Sequence, residues 1–216
     1  MSEQQLTPKR TRRSGTQARG RARRDLLLNA AAELLAEKEL EEITFNEVAL
    51  HAGVPKGSAY HFYANISDVY SALTKRIGEE LLECLAQPLE GHSLKRWEDA
   101  IEVFCDRAVT FYAERPDARQ LLIGGKTPPQ YKRTDRENDR RIGELMLNYL
   151  DLFFDVPKMP NREDILFFTV EIIDLMYCLS MIHHNHITPS MAAEAKRAGI
   201  AYLRSYLPAE LALRDC

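Results

Sequence analysis

The sequence predicts an all-α protein, with an N-terminal helix-turn-helix unit followed by a larger helical domain. Three observations predict it. Apolar residues recur at spacings of three and four along most of the 216-residue chain, the period of helices with one buried face. The expected helix ends carry matching punctuation, with Thr, Asn or Pro at starts and Gly or Pro at stops. Between Thr44 and Asn65 the run TFNEVALHAGVPKGSAYHFYAN holds two short apolar patches split by Ala-Gly-Val-Pro, with aromatics just after.

Taken in order, Leu26, Leu27, Ala30, Ala31, Leu34 and Leu35 give a first amphipathic helix from about Arg23 to Lys38. Thr44 reads as the N-cap of a second, with Glu47 three residues on completing a capping box and Val48 and Ala49 facing inward. Gly53 falls where that helix must stop, because the left-handed backbone there is cheapest for glycine. Val54 plugs the angle, and Pro55 fits the first turn of the next helix, where a missing N–H costs nothing. This is the turn of a helix-turn-helix.

The helix after the turn is brief, from about Pro55 to Tyr63. Its start shows Lys56, Gly57 and Ser58, a cation, a residue without a side chain and a hydroxyl, which suit close approach to a phosphate backbone and a groove; Tyr60 and His61 add donors. The same types also suit a solvent-facing helix start anchored by aromatics.

Asn65 and Asp68 form the N-cap arrangement of a long fourth helix carrying Val69, Leu73, Ile77, Leu81 and Leu85 and ending before Pro88. A fifth, Ser93 to Arg115, bears the stripe Trp97, Ile101, Phe104, Ala108, Phe111 and Tyr112. A short sixth, Asp117 to Ile123, ends at Gly124-Gly125. The following GGKTPPQ superficially resembles a phosphate loop, but Gln120 stands where a glycine is required and two prolines stand where a helix should begin, so nucleotide binding is not expected. A seventh helix runs from about Thr134 to Phe154. The eighth, from Asn161 through ILFFTVEIIDLMYCLSMI, is apolar almost all round and must be covered on most sides. The ninth opens at Thr188-Pro189 and ends near Pro208.

Charge divides the chain. Residues 1–24 hold eight Lys or Arg and one acid, a net +7, which leaves −10 for the remainder of a chain whose total is −3. A basic arm on an acidic body points to a polyanionic partner, and a solubilising tail has the same composition. Cysteines at 84, 105, 178 and 216 form no CxxC pair, so neither a disulfide framework nor a structural zinc site is suggested, and a reducing cytoplasm is expected. The first 24 residues lack an apolar core of the signal-peptide kind, and Glu171 and Asp174 interrupt the longest apolar run, so neither secretion nor membrane spanning is expected.

From Thr44 through AGVPKGSAYHFYAN to Asp68 the residues resemble the DNA-binding domain of TetR-type (tetracycline-repressor-like) transcriptional regulators. The likeness covers about 25 positions in fixed order. It implies three regions: a basic flexible arm at 1–22, a helix-turn-helix DNA-binding domain at 23–72, and an effector-binding and dimerisation domain at 73–216. It also implies that Thr44 and Tyr60 touch phosphates while Lys56, Gly57, Ser58 and His61 lie in the major groove. Arg19, Arg21, Arg23 and Arg24 would strengthen binding through counterion release. Three departures stand out: Pro55 where a capping Ser is commoner, Ile66 where a Lys is usual, and Phe62-Tyr63 in exchanged order.

The resemblance further implies a homodimer joined through the last two helices, a palindromic double-stranded operator, and release by a small-molecule effector with no cofactor. Phe104, Phe111, Tyr149, Phe168 and Tyr177 are candidates to line an effector cavity, or are simply core. Glu171 and Asp174, three apart on one helix face, either meet solvent or place a carboxylate in that cavity to select a cationic or amine-bearing effector. His183, His184 and His186 lack a carboxylate at ligand spacing, so a metal is not expected. An all-helical enzyme using Glu171, Asp174 and the histidines as acid–base groups is the rival reading. It leaves the helix-turn-helix unexplained. A second rival is a regulator that answers to a protein partner or to nothing, its core being filled, and a large internal cavity would discriminate against it.

Overall fold

The computed structural model describes residues 11–89 and 94–214. Among these residues there are nine helices, and the only extended pairing is a single bridge between Phe154 and Leu213. The chain divides into two compact units, Met1–Tyr70 and Ser71–Cys216.

The first unit holds α1 (Thr11–Glu37), α2 (Phe45–His51), α3 (Lys56–Phe62) and the first residues of α4 (Ile66–Leu85). Its core is built from Leu27, Ala31, Leu35, Val48, Ala59 and Val69, while Leu26, expected inside, remains 48% exposed. The start of α1 corrects the sequence reading: residues 11–22, expected within a flexible arm, are helical. Ala, Arg and Gln dominate there and are strong helix formers. The extension is also anchored, since a Cβ on Gly20 would sit 3.9 Å from the Phe62 ring and the Arg24 guanidinium lies 5.8 Å from that ring's centroid. Residues 1–10, the beginning of the expected arm, lie outside the described residues.

The second unit takes the rest of α4 and adds α5 (Trp97–Glu114), α6 (Pro116–Leu121), α7 (Pro129–Phe153), α8 (Arg162–His184) and α9 (Pro189–Leu203). The prolines before α7 open the helix instead of blocking it, with Pro128 as N-cap and Pro129 at the first position, where its fixed φ is already helical. Residues 90–93, which include the expected start of α5 at Ser93, are undescribed; the helix itself begins at Trp97, where the Asp99 carboxylate accepts from the backbone N–H groups of Lys95 and Arg96 at 2.8 and 2.9 Å. The last helix stops at Leu203, short of Pro208. The chain then returns to α5, and the Trp97 indole donates to the Pro208 carbonyl at 3.0 Å.

Packing in this unit centres on α8, which contacts both α7 and α9. A Cβ on Gly143 of α7 would stand 2.8 Å from the Phe167 backbone nitrogen, so the two backbones meet without an intervening side chain. Gly199 of α9 does the same for the Ile173 side chain, at 2.8 Å. By length and composition α8 could cross a membrane. Here it buries Leu166, Val170, Ile173 and Tyr177 against its neighbours and leaves Phe168, Leu175 and Ile182 exposed.

The last carbonyl of α4 and those of the residues just past it would be orphaned without partners. Arg107 donates to the carbonyls of Leu85, Gln87 and Pro88 at 3.0, 2.7 and 2.9 Å, and the Tyr149 hydroxyl reaches those of Ala86 and Gln87 at 2.9 and 3.1 Å.

Candidate nucleic-acid interface and effector cleft

The turn between α2 and α3 is built as its residue types require. Thr44 caps α2 by accepting from the Glu47 backbone at 3.3 Å. The reciprocal half of the expected capping box is absent, because the Glu47 carboxylate is taken by Lys38. That pairing holds Lys38 more firmly protonated and Glu47 more firmly ionised than usual, chiefly through their shared hydrogen bond. Gly53 has φ +63° with open space around it, so glycine is needed there for backbone conformation and not for room. Gly53→Ala should therefore destabilise the first unit by about 1 kcal/mol in urea unfolding, the usual penalty of a left-handed Cβ.

Val54 is buried in the angle, and Pro55 caps α3 without a side-chain hydrogen bond while its carbonyl accepts from Ser58 and Ala59. On α3, Lys56, Gly57, Tyr60 and His61 are exposed, and Ser58 is half-buried. A Cβ on Gly57 would meet nothing within 4 Å. Tyr60 is propped edge-on against Phe45, with ring centroids 4.8 Å apart, and Lys56 lies over it at 5.9 Å. Arg23 of α1 reaches the Ser58 hydroxyl at 3.5 Å, which sets the exposed Arg19, Arg21, Arg23 and Arg24 segment beside this helix. At the start of α4 the Asn65 side chain accepts from the Asp68 backbone N–H and the Asp68 carboxylate accepts from that of Ala64, both at 3.0 Å.

Phe104 and Tyr177 line a void of only about 30 Å³, enough for a single water. Phe111 and Tyr149 line neither this void nor the larger cleft: Tyr149 stacks edge-on to Phe104 while its hydroxyl caps α4, and Phe111 packs beside Tyr112 and Arg115. The larger cavity is an open cleft of about 460 Å³ along α8, where Phe168, Glu171, Asp174 and Leu175 face Leu122, Lys132 and Arg136.

Glu171 and Asp174 do not form the solvent-facing stripe that was one of their two expected roles. They join Asp135 and Asp139 of α7 in a half-enclosed acidic group. Arg136 answers part of that charge, at 2.8 Å from Glu171 and 2.9 Å from Asp139, and only 3.9 Å from Asp135. Lys132 spends its donors on the Leu122 carbonyl at 3.2 Å and the Cys178 thiol at 3.7 Å. Asp135 is 2% exposed, and its Oδ2, like Oε1 of Glu171, has no hydrogen-bond partner.

Burial, followed by the charge of Asp139, pushes the Glu171 carboxyl up to about 7. Asp135, Asp139 and Asp174 are all raised, first by burial; neighbouring carboxylates add to the rise at Asp135 and Asp174, while Arg136 and Lys132 oppose it. Asp135 and Asp139 were missed in the sequence. They continue the inward stripe of Ile142, Met146 and Leu150, spaced by three and four, and charge on an apolar stripe was the available signal.

The histidines stand apart. His183 lies nine residues beyond Asp174 on α8, about 13 Å at helical rise. Among the described residues, the metal-ligating side chains gathered closely enough to share an ion are Asp135, Asp139 and Asp174.

A buried helix-turn-helix core with an exposed second helix, joined to an all-helical partner unit, defines a DNA-binding protein of the helix-turn-helix class. Residues 27–73 match the family description "Bacterial regulatory proteins, tetR family", and residues 95–207 match "Tetracyclin repressor-like, C-terminal domain". The chain belongs to the TetR family, and is a DNA-binding transcriptional regulator with a ligand-binding C-terminal domain.

Solved structures share the fold. A TetR-family transcriptional regulator from Streptomyces coelicolor superposes with a TM-score of 0.68 at 23% identity, covering 86% of this chain and 99% of its own. A TetR transcriptional regulator from Rhodococcus sp. RHA1 gives 0.61 at 22% identity, covering 85% and 96%. The multidrug binding protein EbrR, solved in complex with imidazole, gives 0.59 at 16% identity, covering 83% and 94%.

Proposed function

We propose that the protein is a homodimeric repressor that binds a palindromic operator and is released by a small-molecule effector. The observation that carries the DNA-binding half is the exposed face of α3, where Gly57 opens onto empty space between Lys56 and the Tyr60 and His61 donors. In this reading Lys56, Gly57, Ser58 and His61 meet the groove, and Thr44 and Tyr60 meet phosphates. Gly57→Ala separates recognition from stability. It should leave urea unfolding unchanged and weaken a mobility-shift complex with the upstream intergenic DNA by about tenfold, since the added methyl has room in the protein and none against DNA. No sequence-specific complex from the folded wild-type dimer would refute operator recognition there.

The helical extension refines the role of the arginines. Four residues apart, Arg19 and Arg23 share one face of α1, the face that reaches Ser58, whereas Arg21 points about 160° away. Replacing Arg19 and Arg23 by Gln should lower the slope of log affinity against log salt by about 2, and Arg21→Gln should change it little. Equal effects from both faces would show that the segment unwinds on DNA.

Two further features support the effector-controlled dimer. The exposed stripe of Phe168, Leu175 and Ile182 on α8 is an apolar face of the kind that subunit association covers, and a two-fold axis there would present two recognition helices to two half-sites. The 460 Å³ cleft falls in the range of small-molecule sites, and the fold-sharing EbrR is described as multidrug binding. Release then requires the effector to favour the conformation that does not fit the operator.

A further inference from the structure

We infer that the cleft along α8 takes a primary amine with an apolar body, its ammonium group held by Asp135, Asp139 and Asp174. This rests on the effector reading above and names the chemistry of the ligand.

Geometry is the first support. The three carboxylates each offer an oxygen, and these oxygens lie within 4.8 Å of one another. An ammonium nitrogen with three N–H donors at about 2.8 Å sets its acceptors about 4.6 Å apart, by tetrahedral geometry. A small divalent ion sets neighbouring ligands about 3 Å apart at about 2.1 Å, which the same bound also admits, so the choice between the two rests on Asp135 and on the wall of the cleft. Asp135 is the second, independent support: it is 2% exposed and one of its oxygens has no hydrogen-bond partner, a state that a donor entering the group would relieve.

The charge count points the same way. Four carboxylates, Asp135, Asp139, Glu171 and Asp174, face two cations, Lys132 and Arg136, and Lys132 is turned to a carbonyl and a thiol. Asp174 belongs both to this group and to the wall of the cleft, so a ligand head that reaches the carboxylates leaves its body in the cleft. There Ile123, Phe168, Ile172 and Leu175 supply an apolar wall that a bare metal ion would not use. A quaternary ammonium has no N–H to offer, and its methyl groups hold the carboxylates away.

Calorimetric titration and thermal shift of the full-length protein test this with n-hexylamine, hexan-1-ol, hexyltrimethylammonium and Mn²⁺ as probes. Hexylamine should bind at least about tenfold more tightly than the alcohol or the quaternary amine, the scale on which a site built for charged donors rejects analogues lacking them. Asp135→Asn and Asp174→Asn should each remove most of that preference and leave the alcohol unchanged. Both variants delete a negative charge from a crowded group, so they should fold, and their unliganded thermal transitions check it. Equal binding of all three organic probes, or stabilisation by Mn²⁺ without any by hexylamine, overturns the assignment. Hexylamine binding without operator release would leave this site standing and sink the effector mechanism; operator release by a neutral compound, with hexylamine inert, would do the reverse.

Discussion

Trp97→Ala is expected to destabilise the second unit by about 3–5 kcal/mol, the range for emptying a large aromatic site in a packed core. Trp97 is fully buried, and its indole holds the Pro208 carbonyl at 3.0 Å. The substitution therefore opens a cavity at the start of α5 and also removes one tie to the segment that follows α9. The charged pair of buried Glu98 and Arg204, 3.2 Å apart, the buried Leu207 and the bridge between Phe154 and Leu213 remain to hold that segment. Trp97→Phe keeps most of the volume and should lose only about 1 kcal/mol, the hydrogen bond's share. Urea unfolding followed by circular dichroism separates the two; equal losses would assign the whole effect to the hydrogen bond.

Stability should fall as pH rises from about 4.5 through about 7, and the acidic group is the cause. Its carboxyls are raised above their unfolded values, so the folded chain holds protons that the unfolded chain has released. Such groups contribute fully below their unfolded pKa and lose that contribution as pH passes their folded value. For Glu171 the window runs from 4.5 to about 7. Asp135→Asn removes a buried carboxylate with one oxygen that accepts no hydrogen bond and with Arg136 only as near as 3.9 Å. It should raise the melting temperature at pH 8 by several degrees, at about 2–4 °C per kcal/mol for a chain of this size, with little gain at pH 5. Calorimetry of wild type and variant at the two pH values checks it, the difference between them cancelling the titrating groups outside this acidic cluster. A variant that melts lower at pH 8 would show that Asp135 is ionised and well compensated in the free protein.

The two sites differed in how far the sequence disclosed them, for physical reasons. The reading head is made of local chemistry. A glycine that must sit at positive φ, a proline at a helix start and a threonine cap each act within four residues, so Gly53, Pro55 and Thr44 were readable in place. The length of α1 was less so, because the stretch around Gly20 and Arg24 lies against Phe62, some forty residues further on. The acidic group was hidden by a sound prior. Charged residues usually face water, and only the apposition of α7 and α8 turns Asp139 and Asp174 toward each other. The aromatic candidates do not gather round one cavity for a related reason: spacing marks an inward face, but not whether that face borders a void. Phe168 opens onto the cleft, while Phe104 and Tyr177 are largely packed.

The contact at Gly143 bears on how that acidic group can respond. Repulsion between like charges on two helices is commonly relieved by letting the helices drift apart, and a seam of interlocking side chains would permit some of that. Here the α7 backbone rests directly on that of α8 at Phe167, one turn from Asp139 and two turns from Asp174. The helices are fastened at a fulcrum beside the charges. Electrostatic stress in the group is thus met by protons or by a bound cation, or passed on as a tilt of the joined pair, and a change of charge in the cleft becomes a lever.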